Sequence, residues 1–434
     1  MKNSKEPKNT PFELDGVTVA PGTRAKVELP LAQLYTQTPL NVPIHVINGR
    51  RPGPVLMVSA AIHGDELNGV EIIRRLLRHS ALKSLNGTLL AVPVVNVFGF
   101  IHKTRYLPDR RDLNRCFPGS ETGSLGARMA WQFKSQVLDR ATHAVDLHTG
   151  AIHRANLPQI RADLSNEDTA AMANAFGVPV VINSVLGEGT LREVAEAQGI
   201  PVITYEAGEA LRFEESCIRA GVKGVLNIMQ HLGMTGSRRT KAPTEPYIAR
   251  SSSWVRAERD GVFLSLVALG AWIKKGDLIG RISSPFGGED VNIFAPAAGI
   301  LVGRNNLPLV NEGEALYHIA RFEEVSEVAQ SLEVFTSDIE RARPWQVSRR
   351  SSERLNGNVT TQKTGPGGPF FVWLGLRLLE LFLQFLQHRF LLVDLGLALL
   401  DGFFQLFLLG HDVSPFSQVM AEPSATRRMS TPGP

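Results

Sequence analysis

The stretch VLMVSAAIHGDELNGVEIIRRLLRHS, residues 55–80, decides the fold. Its opening run, VLMVSAAI, is apolar and short enough for a buried strand. The closing part, ELNGVEIIRRLLRHS, places Leu67, Val70, Ile73, Leu76 and Leu77 at helical spacing, with arginines opposite. That pattern predicts an amphipathic helix. Between strand and helix lies a polar turn that holds His63, Asp65 and Glu66.

The same alternation extends outward, from about residue 40 to 232. Short β-type runs (TLLAVPVVN, HAVDLHT, PVVINSV, PVITYEAG) are separated by longer segments with helical spacing. Strands alternating with helices predict an α/β domain on a largely parallel or mixed sheet. Ligands of such sheets sit at the carboxyl ends of the strands. Near residue 234 the style changes: MTGSRRTKAPTEP is polar and Pro/Gly-bearing, and reads as a linker. We therefore expect an α/β domain over 1–245 (core about 40–232), a β-rich domain over 246–325 and a tail over 326–434.

Within the β-rich part, GVFLSLVALGAWIKKGDLIGRI is echoed by GILVGRNNLPLVNEGEALYHI. Each copy has Gly and apolar residues, a break, a charged-Gly-acidic turn (KGD, EGE) and a closing β run. This duplication, with APAAG between the halves, resembles the small barrel-sandwich of biotinyl and lipoyl domains. The hairpin that bears the modified lysine there is SSPFGGEDVNIFAP here, which has no lysine. A structural or site-capping module is expected, not a carrier arm. In the tail, a Leu/Phe-rich run is interrupted by Arg377, Glu380, Arg389, Asp394 and Asp401, so no clean membrane span is expected. The tail reads as a disordered or appended segment or a reading-frame artefact, ahead of an amphipathic helix that binds a membrane or a partner.

Composition narrows the function classes. A hydrophobic content of 43% and a charged content of 20% are ordinary for a soluble globular protein. The net charge of +4 comes from scattered basic residues and argues against nucleic acid as a partner. The two cysteines, Cys116 and Cys217, make no metal-like spacing and fit a reducing compartment. The N-terminal stretch has no signal-like apolar segment, so a cytoplasmic location is expected. A homo-oligomer is compatible with all of this.

Four segments carry chemistry. His63 and Glu66 stand three apart past a strand end, where both side chains can turn toward one point. Imidazole nitrogen and carboxylate oxygen suit zinc, which in catalytic sites takes three protein ligands and keeps one position open. HAVDLHTG supplies a third candidate, His148, with Asp146 on the same strand face to hold its ring. TRYLPDRRDLNRCFPG offers Arg105, Arg110, Arg111 and Arg115, forks matched to carboxylates, and the amide of Asn114. TYEAGE ends a strand with Glu206, a candidate general base, and Glu209 as a rival. His102, His143 and His153 read as ordinary surface or strand-end histidines.

In order, H-x-x-E, D-L-N-R, D-L-H and E-x-G resemble the succinylglutamate desuccinylase/aspartoacylase family, a branch of the zinc carboxypeptidase superfamily. The resemblance covers roughly residues 40–325. It implies a zinc-carboxypeptidase-like mixed sheet flanked by helices, followed by the small all-β domain. His63, Glu66 and His148 would hold one zinc per chain, and Glu206 would move a proton from its water to the departing amine. Arg105 would polarise the scissile carbonyl, with Arg110 and Arg111 as substitutes. Asn114 and Arg115, with Arg111, would bind the substrate carboxylate. Tyr247 and Tyr317 are the candidates for the late tyrosine of some relatives. The implied activity is a zinc-dependent hydrolase of the amide bond in a small N-acyl amino acid that bears a carboxylate. The alternatives are a carboxypeptidase-like amidase and a non-catalytic zinc-binding protein.

Overall fold

Strict alternation of side chains along the strands gives the sheet two buried faces. The computed structural model describes residues 8–236, 245–323 and 325–341. The Leu/Phe-rich run of the expected tail lies outside the described residues. In chain order come β1 Phe12–Leu14, β2 Val17–Val19, β3 Thr23–Gln33, β4 Pro39–Asn48, β5 Arg51–Ala60, α1 Asn68–Leu76 and β6 Asn86–Val92. Next are α2 Val97–His102, α3 Leu125–Gln136, β7 His143–Gly150, β8 Arg154–Ala162, α4 Glu167–Phe176, β9 Val180–Asn183 and α5 Leu191–Ala197. β10 Val202–Glu209, α6 Glu215–His231, β11 Tyr247–Ala249, β12 Ser251–Arg256, β13 Gly261–Ser265 and β14 Trp272–Ile273 follow. The last are β15 Leu278–Ser283, β16 Val291–Phe294, β17 Gly299–Asn305, β18 Leu309–Val310, β19 Ala315–Arg321 and α7 Val325–Arg341.

The large sheet is mixed, as the alternating pattern predicts. Its path runs β12-β19-β17-β8-β10-β7-β5-β6-β4-β3. The centre, β10-β7-β5-β6, is parallel, and antiparallel strands extend it on both sides. On β5, Leu56, Val58 and Ala60 face one core with residues of α1, α4 and α6. Met57 faces a second core with residues of α3 and α5. β7 repeats this: Val145 and Leu147 join the first core, and Ala144 the second. Asp146 and His148 follow Ala144 at two-residue steps, so they share the face that lies beneath α3 and α5. Each buried aliphatic of these cores contributes about 1.5–3 kcal/mol relative to exposure.

Helix α1 begins later than its apolar pattern suggests, at Asn68. Its buried apolar residues are Ile72, Ile73 and Leu76, while Leu67 and Val70 are only partly covered. α6 lies close enough to α4 that Gly224 has no room for a side chain: a Cβ there would stand 2.1 Å from Cε1 of Phe176. Gly224→Ala is expected to destabilise the protein by about 1–3 kcal/mol from overpacking. The gain in helix propensity, about 1 kcal/mol, offsets only part of this. Urea unfolding measures the difference, and an unchanged or raised midpoint would show that the helices separate freely.

The strands after residue 246 pair largely antiparallel. The two sequence copies give the same element order, with long, short and long strands: β13, β14 and β15 in the first, β17, β18 and β19 in the second. Each short strand crosses to the other copy, β14 pairing with β17 and β18 with β13. β13, β15, β16 and β18 form a separate four-stranded sheet. β17 also pairs with β8, so the second copy prolongs the large sheet beyond the linker. Helix α7 occupies the first residues of the expected tail; Val328 and Leu332 pack near β17 and β19, and Phe335 and Ile339 join the core of α6. Among the described residues, no helix is long and apolar enough to cross a membrane.

Candidate active site

The carboxyl ends of β5 and β7 bring the first candidates together. Past β5 the chain turns sharply, with Ala61 at a φ of 50°. The backbone N–H of Glu66 then donates to the His63 carbonyl at 3.1 Å. This tight turn, and not a helical turn as expected, sets the three-residue spacing, because Glu66 precedes α1. Gly64 within it lies against α2: a Cβ would stand 2.0 Å from the carbonyl carbon of Gly99. Only glycine permits that approach.

His63, Glu66 and His148 are all buried and offer ligand atoms within 4.8 Å of one another. Nδ1 of His63 lies 2.7 Å from Oε1 of Glu66, and Nδ1 of His148 lies 2.9 Å from Oε2. The opposite nitrogen of each ring meets a carboxylate. Nε2 of His63 lies 3.1 Å from Oδ1 of Asp112, and Nε2 of His148 lies 2.8 Å from Oδ2 of Asp146. Asp146 is held in turn by the Ser59 hydroxyl, which donates to its Oδ1 at 2.7 Å. An imidazole that donates its outer N–H to a carboxylate presents the inner nitrogen as a metal ligand. The Thr149 backbone N–H donates to Oε2 of Glu66 at 3.0 Å, which fixes that carboxylate too.

The electrostatics point the same way. Burial opposes charge on His63 and His148, yet the carboxylates around them raise both pKa values, that of His148 well above its ordinary value. Burial would raise the Glu66 carboxyl, but the two histidines hold it well below the usual carboxylate range. Asp112 is likewise held low against burial by His63 and Arg105. Three carboxylates face one guanidinium here, so the pocket favours an added cation. A His-Glu-His donor set with fixed outer nitrogens fits a borderline divalent metal.

Of the loop arginines, Arg105 is the one brought to this group. Its Nη2 donates to Oδ2 of Asp112 at 2.8 Å, and Nη1 to Oε1 of Glu66 at 3.3 Å. Asp112 thus ties a candidate ligand to a candidate catalytic arginine. In the sequence, Asp112 is only the first letter of D-L-N-R. Arg111 is largely exposed and pairs with Asp109, and Arg110 lies exposed in a turn at a φ of 64°. Asn114 accepts from the Leu191 backbone N–H at 2.9 Å, which leaves its amide N–H groups to donate elsewhere. Arg115 is exposed beside it.

Glu206 enters from β10. It stands directly opposite His148 in the β10–β7 register and opposite Gln159 in the β10–β8 register. Facing residues on paired strands point to the same side, so all three share one face of the sheet. Asn156 donates to Oε2 of Glu206 at 2.9 Å, and Nε of Arg161 lies 3.8 Å from Oε1. Glu209, the rival, is committed elsewhere, to Asn306 and Arg212. Tyr317 is a core residue whose hydroxyl lies 2.6 Å from the Ile279 carbonyl, and Tyr247 belongs to β11 at the far side of β9. Asn156 and Arg161 carry no signal in the sequence because β8 bears no motif; only the order of strands places them beside Glu206.

Fold and site together define an α/β protein with a candidate metal-ligand group at its strand ends. Residues 52–232 match the succinylglutamate desuccinylase/aspartoacylase catalytic domain. Residues 52–232 thus belong to this family. The chain is 26% identical over 305 residues to N-alpha-acetyl-L-2,4-diaminobutyric acid deacetylase of Halomonas elongata, covering 67% of this chain and 87% of that one. It is similar to the crystal structure of a succinylglutamate desuccinylase/aspartoacylase from Rhodobacter sphaeroides, at 26% identity and a TM-score of 0.62. That match covers 69% of this chain and 96% of the other. The fold is also that of the ectoine utilization protein EutE (DoeB) from Ruegeria pomeroyi, at 24% identity and a TM-score of 0.65, over 72% of this chain and 99% of the other.

Proposed function

We propose that this chain is a zinc-dependent hydrolase that cleaves the amide bond of an N-acyl amino acid. The observation that carries the reading is the placement of Glu206 in register with His148, beside a complete three-ligand group. The family and the deacetylase named above support the same class of substrate. His63, Glu66 and His148 would hold the zinc, which when bound supplies a Lewis acid and lowers the pKa of water to about 7.

The remaining steps belong to the chain's own residues. Glu206 accepts a proton through Oε1, since Asn156 holds Oε2, and returns it to the leaving nitrogen. Arg105, fixed by Asp112, stabilises the negative charge that develops on the carbonyl oxygen. The free amide donors of Asn114, with Arg115, take the substrate carboxylate. Arg111, turned toward Asp109, is left out of this assignment. We further propose that 1–245 is the catalytic domain and that 246–325 is a barrel-sandwich module which narrows access to small substrates. The crossed pairing of the two sequence copies supports the module's two-fold character.

Metal analysis combined with a substrate panel tests the reading. The expected result is about one zinc per chain, with hydrolysis of N-acetyl or N-succinyl amino acids and not of C-terminal dipeptides. Hydrolysis of the dipeptides alone would establish the carboxypeptidase-like alternative instead.

A further inference from the structure

Just past Glu206 the chain leaves regular sheet geometry, and a buried side chain meets it there. Glu206 stands opposite His148 and Glu209 opposite Gly150, so three steps along β10 match two along β7. This bulge contains Gly208 at a φ of 76°. A bulge bends its strand and sets the direction of the side chains beside it, here that of Glu206.

Two groups from outside the sheet hold the bulge. Asn68, the first residue of α1, is 1% exposed, and its Nδ2 donates to the Ala207 carbonyl at 3.1 Å. The Glu209 backbone N–H donates to Oε1 of Glu214 at 2.7 Å. The two holders are joined, because the Glu214 backbone N–H donates to Oδ1 of Asn68 at 3.0 Å. Their fit requires glycine at 208: a Cβ there would stand 2.6 Å from Nδ2 of Asn68 and 2.6 Å from Oε1 of Glu214.

Asn68 is also tied to the ligand turn. It follows Glu66 by two residues, and Gly69 beside it brings α1 close against β5 and β7. A Cβ at Gly69 would lie 2.8 Å from the Cβ atoms of Ala60 and Leu147. The Asp65 carbonyl of the same turn accepts from the Leu211 N–H, beyond β10, at 2.8 Å. The turn that presents His63 and Glu66 is thus fastened to the strand end that presents Glu206. One carboxamide makes the link, its N–H on the bulge and its oxygen on the segment that follows.

We propose that Asn68 is a positioning residue, which holds the Glu206 carboxylate in place relative to the His63–Glu66–His148 group. Asn68 is none of the three ligands and acts through the Ala207 carbonyl. This rests on the amide-hydrolase reading above. Reacting groups tolerate little displacement, and about 1 Å costs on the order of a hundredfold in rate.

Asn68→Asp tests this. The carboxylate keeps an acceptor for the Glu214 N–H but sets its second oxygen against the Ala207 carbonyl. With N-acetyl and N-succinyl amino acids, kcat is expected to fall about 10- to 100-fold, with KM near the wild-type value. Zinc should remain at about one per chain. Asn48→Ala is the control: Asn48 is as deeply buried, holds the Thr10 and Val19 carbonyls, and pairs with the amino end of β6, away from the site. It should lower the unfolding midpoint and leave kcat per zinc-loaded chain unchanged.

An unchanged kcat in Asn68→Asp, loss of zinc along with rate, or an equal loss of kcat in Asn48→Ala overturns the proposal. Where Asn68→Asp does not fold, Glu214→Ala, which frees the Glu209 N–H, is read in the same way. Crystal structures of wild type and Asn68→Asp read the placement without turnover. Glu206 displaced by about 1 Å, in a protein that hydrolyses no N-acyl amino acid, would retain the link and refute the hydrolase reading. Hydrolysis at the wild-type rate by Asn68→Asp, with Glu206 in place, would do the reverse.

Discussion

Glu206→Gln is expected to lower kcat by on the order of a thousandfold while the bound metal stays in place. The substitution preserves shape and can still accept the N–H of Asn156, so the corner around it should stay packed. What it removes is the ability to take up and return a proton. The carboxylate is only 17% exposed and stands in register with His148, which places it next to the ligand group without being one of its donors. Glu209 cannot replace it, because both its oxygens are occupied by Asn306 and Arg212. Steady-state rates and metal content of the same preparation check this. Loss of metal together with rate would make Glu206 a ligand, and a rate within tenfold of wild type would end its role as base.

His148→Ala carries the second large effect: zinc content should fall from about one per chain to near zero, and activity to background. His148 is one of three donors, and the two that remain do not make a catalytic zinc site. The outer residues give a graded version of the same test. Asp146→Asn keeps the size of the side chain but cannot accept from Nε2 of His148 as a carboxylate does. Metal affinity is then expected to drop by roughly 10- to 100-fold, the usual effect of removing such a support. Competition with a coloured chelator measures it. Unchanged affinity in Asp146→Asn would mean that the ring is oriented by other contacts.

Much of this site was legible in the amino-acid order, and the missing parts share a cause. His63, Glu66 and His148 stand at strand ends flagged by apolar runs and their residue types suit a metal, and the order of motifs that resembles the family joins them into one set. Glu206 was visible for the same reason. Arg105 comes ahead of Arg110 and Arg111 through the family resemblance alone, since three arginines within seven residues have equal chemistry on paper. Asp112 makes the choice by binding Arg105 and His63 together, a contact that spans 49 positions of the chain. The start of α1 was also misplaced: the apolar spacing continues through Leu67, but the backbone of His63–Glu66 closes a turn first.

The sequence by itself determined the α/β alternation, the duplicated β-rich segment and the identity of the candidate ligands. Each depends on periodicity or residue chemistry within a short window, where side chains alternate along a strand or recur on a helix face. Only the tertiary structure decided which residues surround Glu206. Asn156, Gln159 and Arg161 reach it through antiparallel pairing of β8 with β10, and β17 pairs in turn with β8 at Asn156, nearly 100 positions after Glu206 in the chain. Strand order and register arise from the packing of whole faces against two cores. No local pattern contains that information, and so the surroundings of Glu206 emerged only when the sheet was assembled.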